Sequence, residues 1–239
     1  LGGLLVRAIG KLALTPEQVA KLPDNYEAAV RSKRYSDRFE ADKLEASYLP
    51  PDLFAGDGPW VCFGRTDAPT APQHLREDQT NRFTNSVFLT FLKLPGGRAA
   101  TLEHLKKLAK FDAPLFVPNA DDKSKRDVPF VPNPTLPGWP KGTEVALVRR
   151  AMLIDSERRV VASPITESVQ IRVTLVEQAL PTAEELNRPE GGKRRSAFAE
   201  FRLRKADLFD GKSGGLYDAS EVSEFKTGFQ SKWDEFEID

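Results

Sequence analysis

The chain has little of the two residue types that most often carry metal and redox chemistry. Cys62 is the single cysteine, and His74 and His104 are the two histidines among 239 residues. One cysteine excludes an internal disulfide and any CxxC site, and the histidines lack the HExxH or paired spacing of zinc proteins. We therefore predict no bound metal. A Cys62–His74 pair stays open as a nucleophile and its base, although a cysteine in a short apolar strand is more often a buried hydrophobe.

A long hydrophobic run and an excess of one charge are also missing. The opening LGGLLVRAIGKLAL is too short to cross a bilayer and is interrupted by Arg7 and Lys11. Lys+Arg and Asp+Glu both number 35, so the net charge is zero. This balance argues against nucleic acid as the main partner, because phosphate binding requires a basic surface. We predict neither a transmembrane segment nor nucleic-acid binding.

A working phosphate loop is absent as well, although ADLFDGKS at 206–213 fits a relaxed form of that motif. Gly214 and Gly215 occupy the first turn of the helix that should follow, where glycine is costly. Asp207 and Asp210 would point negative charge at a polyphosphate. We interpret the stretch as a glycine-rich surface turn and predict no nucleotide or other cofactor.

The hydrophobic pattern indicates an α+β fold with a mostly antiparallel sheet, a few short helices packed on it and long Pro-rich loops. SVFLTFLKL at 86–94 is typical of a buried central strand, because it is rich in β-branched and aromatic residues with almost no polar alternation. The runs 143–154 and 165–177 are joined by a short connection, so we expect them to pair. AFAEFRLRK, at 197–205, is predicted to form another strand.

Capping residues predict three short helices. Thr15 begins TPEQVAKL with a capping box, and Asp24 repeats the arrangement in DNYEAAVRSKR. The third helix, 101–111, is expected to begin with Thr101 as its cap and to lie on one face of the sheet. Its inner stripe is predicted to consist of Leu102, Leu105, Leu108 and Ala109.

Proline content divides the chain into three regions that we expect to form one compact domain. An N-terminal α+β region, residues 1–112, precedes an irregular segment, 113–142, which contains seven prolines and a repeated FVPN. The C-terminal region, residues 143–239, is rich in predicted strands and ends in an acidic tail. From residue 207 onward the tail has nine acidic residues and three lysines, and such a tail is usually solvated.

Four aromatic residues are candidates for binding a protein partner. The two FVPN units offer Phe116 and Phe130 as apolar anchors, and Trp139 lies nearby in sequence. Pro-rich chain has little conformational freedom left to lose, so docking it costs less entropy than ordering an ordinary loop. Trp60 and Trp139, each beside Pro and Gly, are candidate stacking platforms, although burial under loops is the more common role for such tryptophans.

A second candidate site is the PGGR turn at 95–98, between a hydrophobic strand and a helix. The backbone amides of Gly96 and Gly97, with the Arg98 guanidinium, form a candidate site for a carboxylate or phosphate. The alternative is a tight connection that needs positive φ, with Arg98 in water.

The segments VFLTFLKLPGGRAATLEHL and GTEVALVRRAMLID, with TESVQIRVTL, resemble segments of uncharacterised exported bacterial proteins that have no assigned activity. The resemblance covers about half of the chain and contains no catalytic signature. It implies a bacterial origin and carries no function over to this chain.

These observations favour a non-catalytic binding or assembly module, exported or located in the bacterial periplasm or cell envelope, with a protein partner. The cytoplasm is an alternative, and the sequence leaves any small-molecule ligand open. A hydrolase that works through carboxylates or through Cys62 and His74 is the alternative function. Because the chain begins at Leu1, we expect a processed protein or a piece of a longer one.

Overall fold

The computed structural model describes residues 10–43, 46–63, 87–118, 130–176 and 196–220, and its framework is an antiparallel sheet. The strands are β1 (Val61–Phe63), β2 (Val87–Lys93), β3 (Phe116–Pro118), β4 (Phe130–Pro132), β5 (Glu144–Ile154), β6 (Val160–Thr174), β7 (Ser196–Leu203) and β8 (Leu216–Asp218). Six of them form one sheet in the order β1-β2-β5-β6-β7-β8, and β3 and β4 form a separate two-stranded ribbon. The predicted α+β fold with a mostly antiparallel sheet is confirmed.

The hairpin of β5 and β6 is the centre of the sheet. Val148 lies opposite Val169, and Ala146 lies opposite Ile171. All four of these residues are at most 1% exposed, because alternate residues of both strands face the core. The predicted pairing of these two runs is confirmed, and β6 begins at Val160, before the predicted start, because the ladder resumes directly after a tight turn at 155–159.

Four short α-helices whose two ends both lie within the described residues accompany the sheet: α1 (Pro16–Ala20), α2 (Asn25–Arg31), α3 (Gly97–Ala109) and α4 (Lys205–Phe209). No described helix is long and apolar enough to span a membrane. The predicted caps of α1 and α2 are confirmed. Thr15 forms a complete capping box, and the Asp24 carboxylate accepts from the Glu27 N–H.

The start predicted for the third helix is wrong. The helix α3 begins at Gly97 with Gly96 as its N-cap, and Thr101 lies within it, fully buried. The Thr101 hydroxyl donates to the Gly97 carbonyl in the first turn and accepts from the N–H of Leu94, which precedes the helix. Thr101 therefore ties the helix to the end of β2 and does not act as an N-cap. The predicted inner stripe is also partly wrong, because Leu102 is 39% exposed and Ala109 is exposed as well.

The core face of the sheet is covered by α2 and by the irregular chain that follows it up to residue 60, which together we call the covering segment. Tyr26, Tyr48 and Trp60 from this segment join Phe91 and Phe201 from the sheet in one buried cluster. Tyrosine hydroxyls are satisfied at its margins, since the Tyr26 hydroxyl donates to the Pro50 carbonyl at 2.5 Å. The core is therefore covered mainly by irregular chain and only to a small extent by helix.

A buried side-chain amide joins three distant segments to each other. The Asn25 Nδ2 donates to the carbonyl oxygens of Thr166 and Gly214, both at 3.0 Å, and its Oδ1 accepts from the Thr166 N–H at 2.7 Å. Gly214 has a φ of 62°, and a Cβ on it would lie 1.9 Å from the Asn25 carbonyl oxygen. Only glycine permits this approach.

The ADLFDGKS stretch forms α4 and an exposed turn. Asp210 and Lys212 lie on the surface and form an ion pair at 2.8 Å. The interpretation of the following glycines as belonging to a surface turn is wrong, because Gly214 and Gly215 are buried. Their positive φ values let the chain fold back into β8.

We expect Gly214→Ala to lower the free energy of unfolding by at least about 3 kcal/mol, because the added Cβ overlaps the Asn25 backbone. Gly211 is the matched control, with a φ of +69° and no atom within 4 Å of an added Cβ. Gly211→Ala should cost only the left-handed backbone strain, about 1 kcal/mol. Urea unfolding measures both, and equal losses would contradict the proposed packing.

Candidate binding surface

Trp60 is a core residue. Its side chain is 1% exposed, and its Nε1–H donates to the Asp52 carboxylate at 3.1 Å. The Lys93 ammonium lies over the ring, 5.2 Å from its centroid. This placement corresponds to the buried alternative for Trp60 and leaves no ring face open as a stacking platform.

The PGGR turn is bonded to the loop that precedes β1. The Arg98 Nη1 donates to the carbonyl oxygens of Gly58 at 3.1 Å and of Trp60 at 2.9 Å. Gly97 has a φ of +71°, and the turn therefore requires glycine at that position. Anion binding by Gly96, Gly97 and Arg98 stays a prediction, and these bonds give Arg98 a positioning role without an anion.

A polar cluster beside Trp60 was not predicted from the sequence. The Tyr48 hydroxyl donates to the Glu144 Oε2 at 2.5 Å, and the Lys93 Nζ donates to the Oε1 at 2.8 Å. Burial and then the Glu144 carboxylate raise the pKa of Tyr48 well above its ordinary value, so this phenol stays protonated. The cluster fixes the covering segment to β2 and β5. Tyr48 and Glu144 are 96 positions apart in the sequence, so no local sequence pattern indicates their contact.

The ribbon of β3 and β4 carries Phe116, which is more exposed than Trp139, the other predicted anchor whose side chain is described. Phe116 is 60% exposed, and the preceding Leu115 is 57% exposed. Both side chains are therefore more than half open to water, whereas the next residue, Val117, is partly buried. We refer to Leu115 and Phe116 together as the ribbon surface.

One buried side chain holds the base of the ribbon. The Asn133 N–H donates to the Leu115 carbonyl at 2.8 Å, and its Nδ2 donates to the Pro114 carbonyl at 2.9 Å. Its Oδ1 accepts from both the N–H and the hydroxyl of Thr135. Asn133 is only 6% exposed, so the base is fixed while the Phe116 ring faces water.

The other two aromatic candidates lie close to this region in the chain. The Phe130 backbone pairs with Pro118, and its side chain lies outside the described residues. Trp139 is partly buried, with its ring centroid 4.7 Å from that of His104 on α3. Burial and then Lys107 lower the pKa of His104, so this imidazole is neutral at pH 7. Trp139 therefore serves at least partly to dock α3.

One form of the alternative hydrolase, the one that works through Cys62 and His74, depends on Cys62, whose side chain is exposed on the edge strand β1. Partial desolvation by neighbouring protein atoms raises the pKa of its thiol. His74 lies outside the described residues, so the pair stays a prediction. Among the described residues, no group of three or more His, Cys, Asp or Glu side chains could hold a metal ion.

We expect Cys62 to react with iodoacetamide at pH 7 more slowly than a cysteine in an unfolded peptide. A raised pKa means less thiolate at neutral pH, so the rate should increase only as the pH rises above the ordinary thiol range, about 8.5. His74→Ala should leave this profile unchanged. Fast alkylation at pH 7 that is lost in His74→Ala would contradict this expectation and support a catalytic pair.

Comparison of the chain with protein-family models finds no match, and comparisons with the curated proteins and with the solved structures also find none.

Proposed function

We propose that the protein is a non-catalytic module that binds a protein partner through the ribbon surface. The observation that carries this proposal is the exposure of Phe116, 60% of whose surface is open to water on a ribbon with a fixed base. An aromatic side chain that is mostly exposed contributes little burial energy to its own fold. A partner that covers it gains about 2 kcal/mol from its apolar area.

The isolation of the ribbon supports the same proposal. The pair β3–β4 is separate from the main sheet, and a two-stranded ribbon alone is only marginally stable in water. Leu115 and Phe116 are consecutive and are both more than half exposed, so a single apolar cleft on a partner can cover both. We therefore expect the partner to offer an apolar groove with few charged side chains.

The fixed backbone of the ribbon gives further support to the proposed binding function. Asn133 holds the chain at Leu115 and Pro114, and the prolines restrict the backbone of the ribbon. Binding therefore orders few additional degrees of freedom, which preserves affinity for a small contact. From the resemblance to exported bacterial proteins, we also propose a location in the bacterial envelope or periplasm.

Phe116→Ala should weaken partner binding about 10- to 100-fold and change the free energy of unfolding by less than about 0.5 kcal/mol, because the ring contributes little to the core. The matched control is Phe209→Ala, since Phe209 is 86% exposed on a different element, α4. The measurement is a quantitative native pull-down from source cells with mass spectrometry, together with melting of each variant.

Two results would contradict the proposal. One is equal recovery of partners by wild type, Phe116→Ala and Phe209→Ala. The other is a loss of about 3–5 kcal/mol of stability in Phe116→Ala, the cost expected for a core phenylalanine. A third variant, Asn133→Ala, should weaken the same partners without removing any contact side chain, because it frees the base of the ribbon.

A further inference from the structure

A pair of aromatic rings joins the two stretches of chain that lead into and out of the ribbon. On α3, which precedes the ribbon, the His104 ring lies 4.7 Å from the Trp139 ring, centroid to centroid. We call this pair the ring contact. Closer to the ribbon, Asn133 bonds to the carbonyl oxygens of Pro114 and Leu115. The base of the ribbon is therefore held at Asn133 and again at the ring contact.

The first turns of α3 are anchored more firmly than its last turns. Arg98 bonds to the carbonyl oxygens of Gly58 and Trp60, and Thr101 is the only buried residue of this helix, all of which the structure describes. Every residue in 102–109 is exposed or half-buried. The attachment of the second half of α3 therefore depends strongly on the ring contact.

The His104 imidazole has a buried nitrogen that is poorly placed to carry a proton. Its Nε2 is shielded from water and has no hydrogen-bond partner among the residues that the structure describes. The neutral ring avoids an unpaired donor at this point by carrying its proton on Nδ1. The protonated ring has an N–H on both nitrogens and cannot avoid it. A buried N–H without an acceptor is costly, and the cost is greater for a charged group.

The charges around the ring also oppose protonation. Burial and then Lys107 lower the pKa of His104. The carboxylate of Glu103, also on α3, is bound to Lys107 at 3.0 Å, and none of the described carboxylates pairs with His104. The other charged residues of α3 and of the segments beside it are all basic: Lys93, Arg98, Lys106 and Lys141.

The Trp139 ring acts in the opposite direction, because an aromatic face attracts a cation. At a partly exposed site this attraction is weaker than the cost of an unpaired buried N–H. The balance at His104 therefore favours the neutral imidazole.

We infer that the ring contact is a pH-sensitive device, which holds the second half of α3 and one side of the base of the ribbon at neutral pH and loosens them in mild acid. A base with a lowered pKa in the folded protein stabilises the fold fully above its ordinary value, here 6.5, and progressively less below it. The loosening is local, because the Thr101 hydroxyl that ties the start of α3 to β2 does not titrate. This inference does not depend on a partner at the ribbon surface.

Hydrogen exchange of the full chain tests the inference. Between about pH 7.5 and about pH 5.5, the amides of 103–109 should lose about 3- to 10-fold of their protection, relative to the unfolded chain at each pH. About tenfold is the upper limit, because the lower pH is about one unit below 6.5. The amides of 89–93 on β2 should keep their protection, which excludes global unfolding as the cause.

Two variants identify the titrating group. His104→Phe keeps an aromatic ring against Trp139 and cannot be protonated, so its protection should change less than about twofold. His74→Phe removes the other histidine and should behave as wild type. An unchanged protection of 103–109 in wild type overturns the inference, as does an equal loss in His104→Phe or a loss that disappears in His74→Phe.

Proton NMR gives a second test that needs no change at the ring contact. In His74→Phe the one remaining histidine is His104, so its imidazole protons are assigned directly. Their titration should have its midpoint below 6.5. A midpoint at or above 6.5 would show that the Trp139 face stabilises the imidazolium, and it would overturn the inference.

Discussion

The side-chain amide of Asn25 is the interaction on which the rest of the structure depends. It is 1% exposed and bonds at once to β6 and to the buried glycine turn, so three segments from the beginning, middle and end of the described chain meet at one group. A buried amide that lost these partners would leave unpaired polar atoms in the core. The position of α2, and with it the start of the covering segment, follows from this contact.

The covering segment in turn closes the core without the β3–β4 ribbon. Tyr26, Tyr48 and Trp60 bury the core face of the sheet, and the Tyr35 hydroxyl donates to the Leu216 carbonyl at 2.8 Å near the opposite edge. The buried core cluster contains no described residue of the β3–β4 ribbon. Two adjacent apolar side chains that lie outside the core and face water are available to a partner, and this is the physical basis of the proposed binding surface.

The sequence predicts the strands and helix caps that follow from local patterns, and it does not predict the contacts between residues that are far apart in the chain. Alternation in Val169, Ile171 and Val173 identified β6, and Thr15 identified α1, because both signals lie within a few residues. The predicted start of α3 is wrong because PGGR has the composition of a loop, whereas the helix already begins at Gly97. The Asn25–Gly214 bond spans 189 positions and leaves no local pattern. For the candidate surface, the repeated FVPN identifies Phe116 as a candidate residue. The exposure of Phe116 and the role of Asn133 depend on the folded structure and cannot be predicted from the sequence.

The stability of Asn25→Asp tests the central claim most directly. The substitution keeps the size of the side chain and replaces the Nδ2 donor with an oxygen that faces two carbonyls. Asn133→Asp is the matched control, since Asn133 is also buried but bonds only within its own loop region. In urea unfolding, Asn25→Asp should lose at least about 3 kcal/mol, and Asn133→Asp less than about half of that. An Asn25→Asp protein as stable as wild type, or no less stable than Asn133→Asp, would contradict the account.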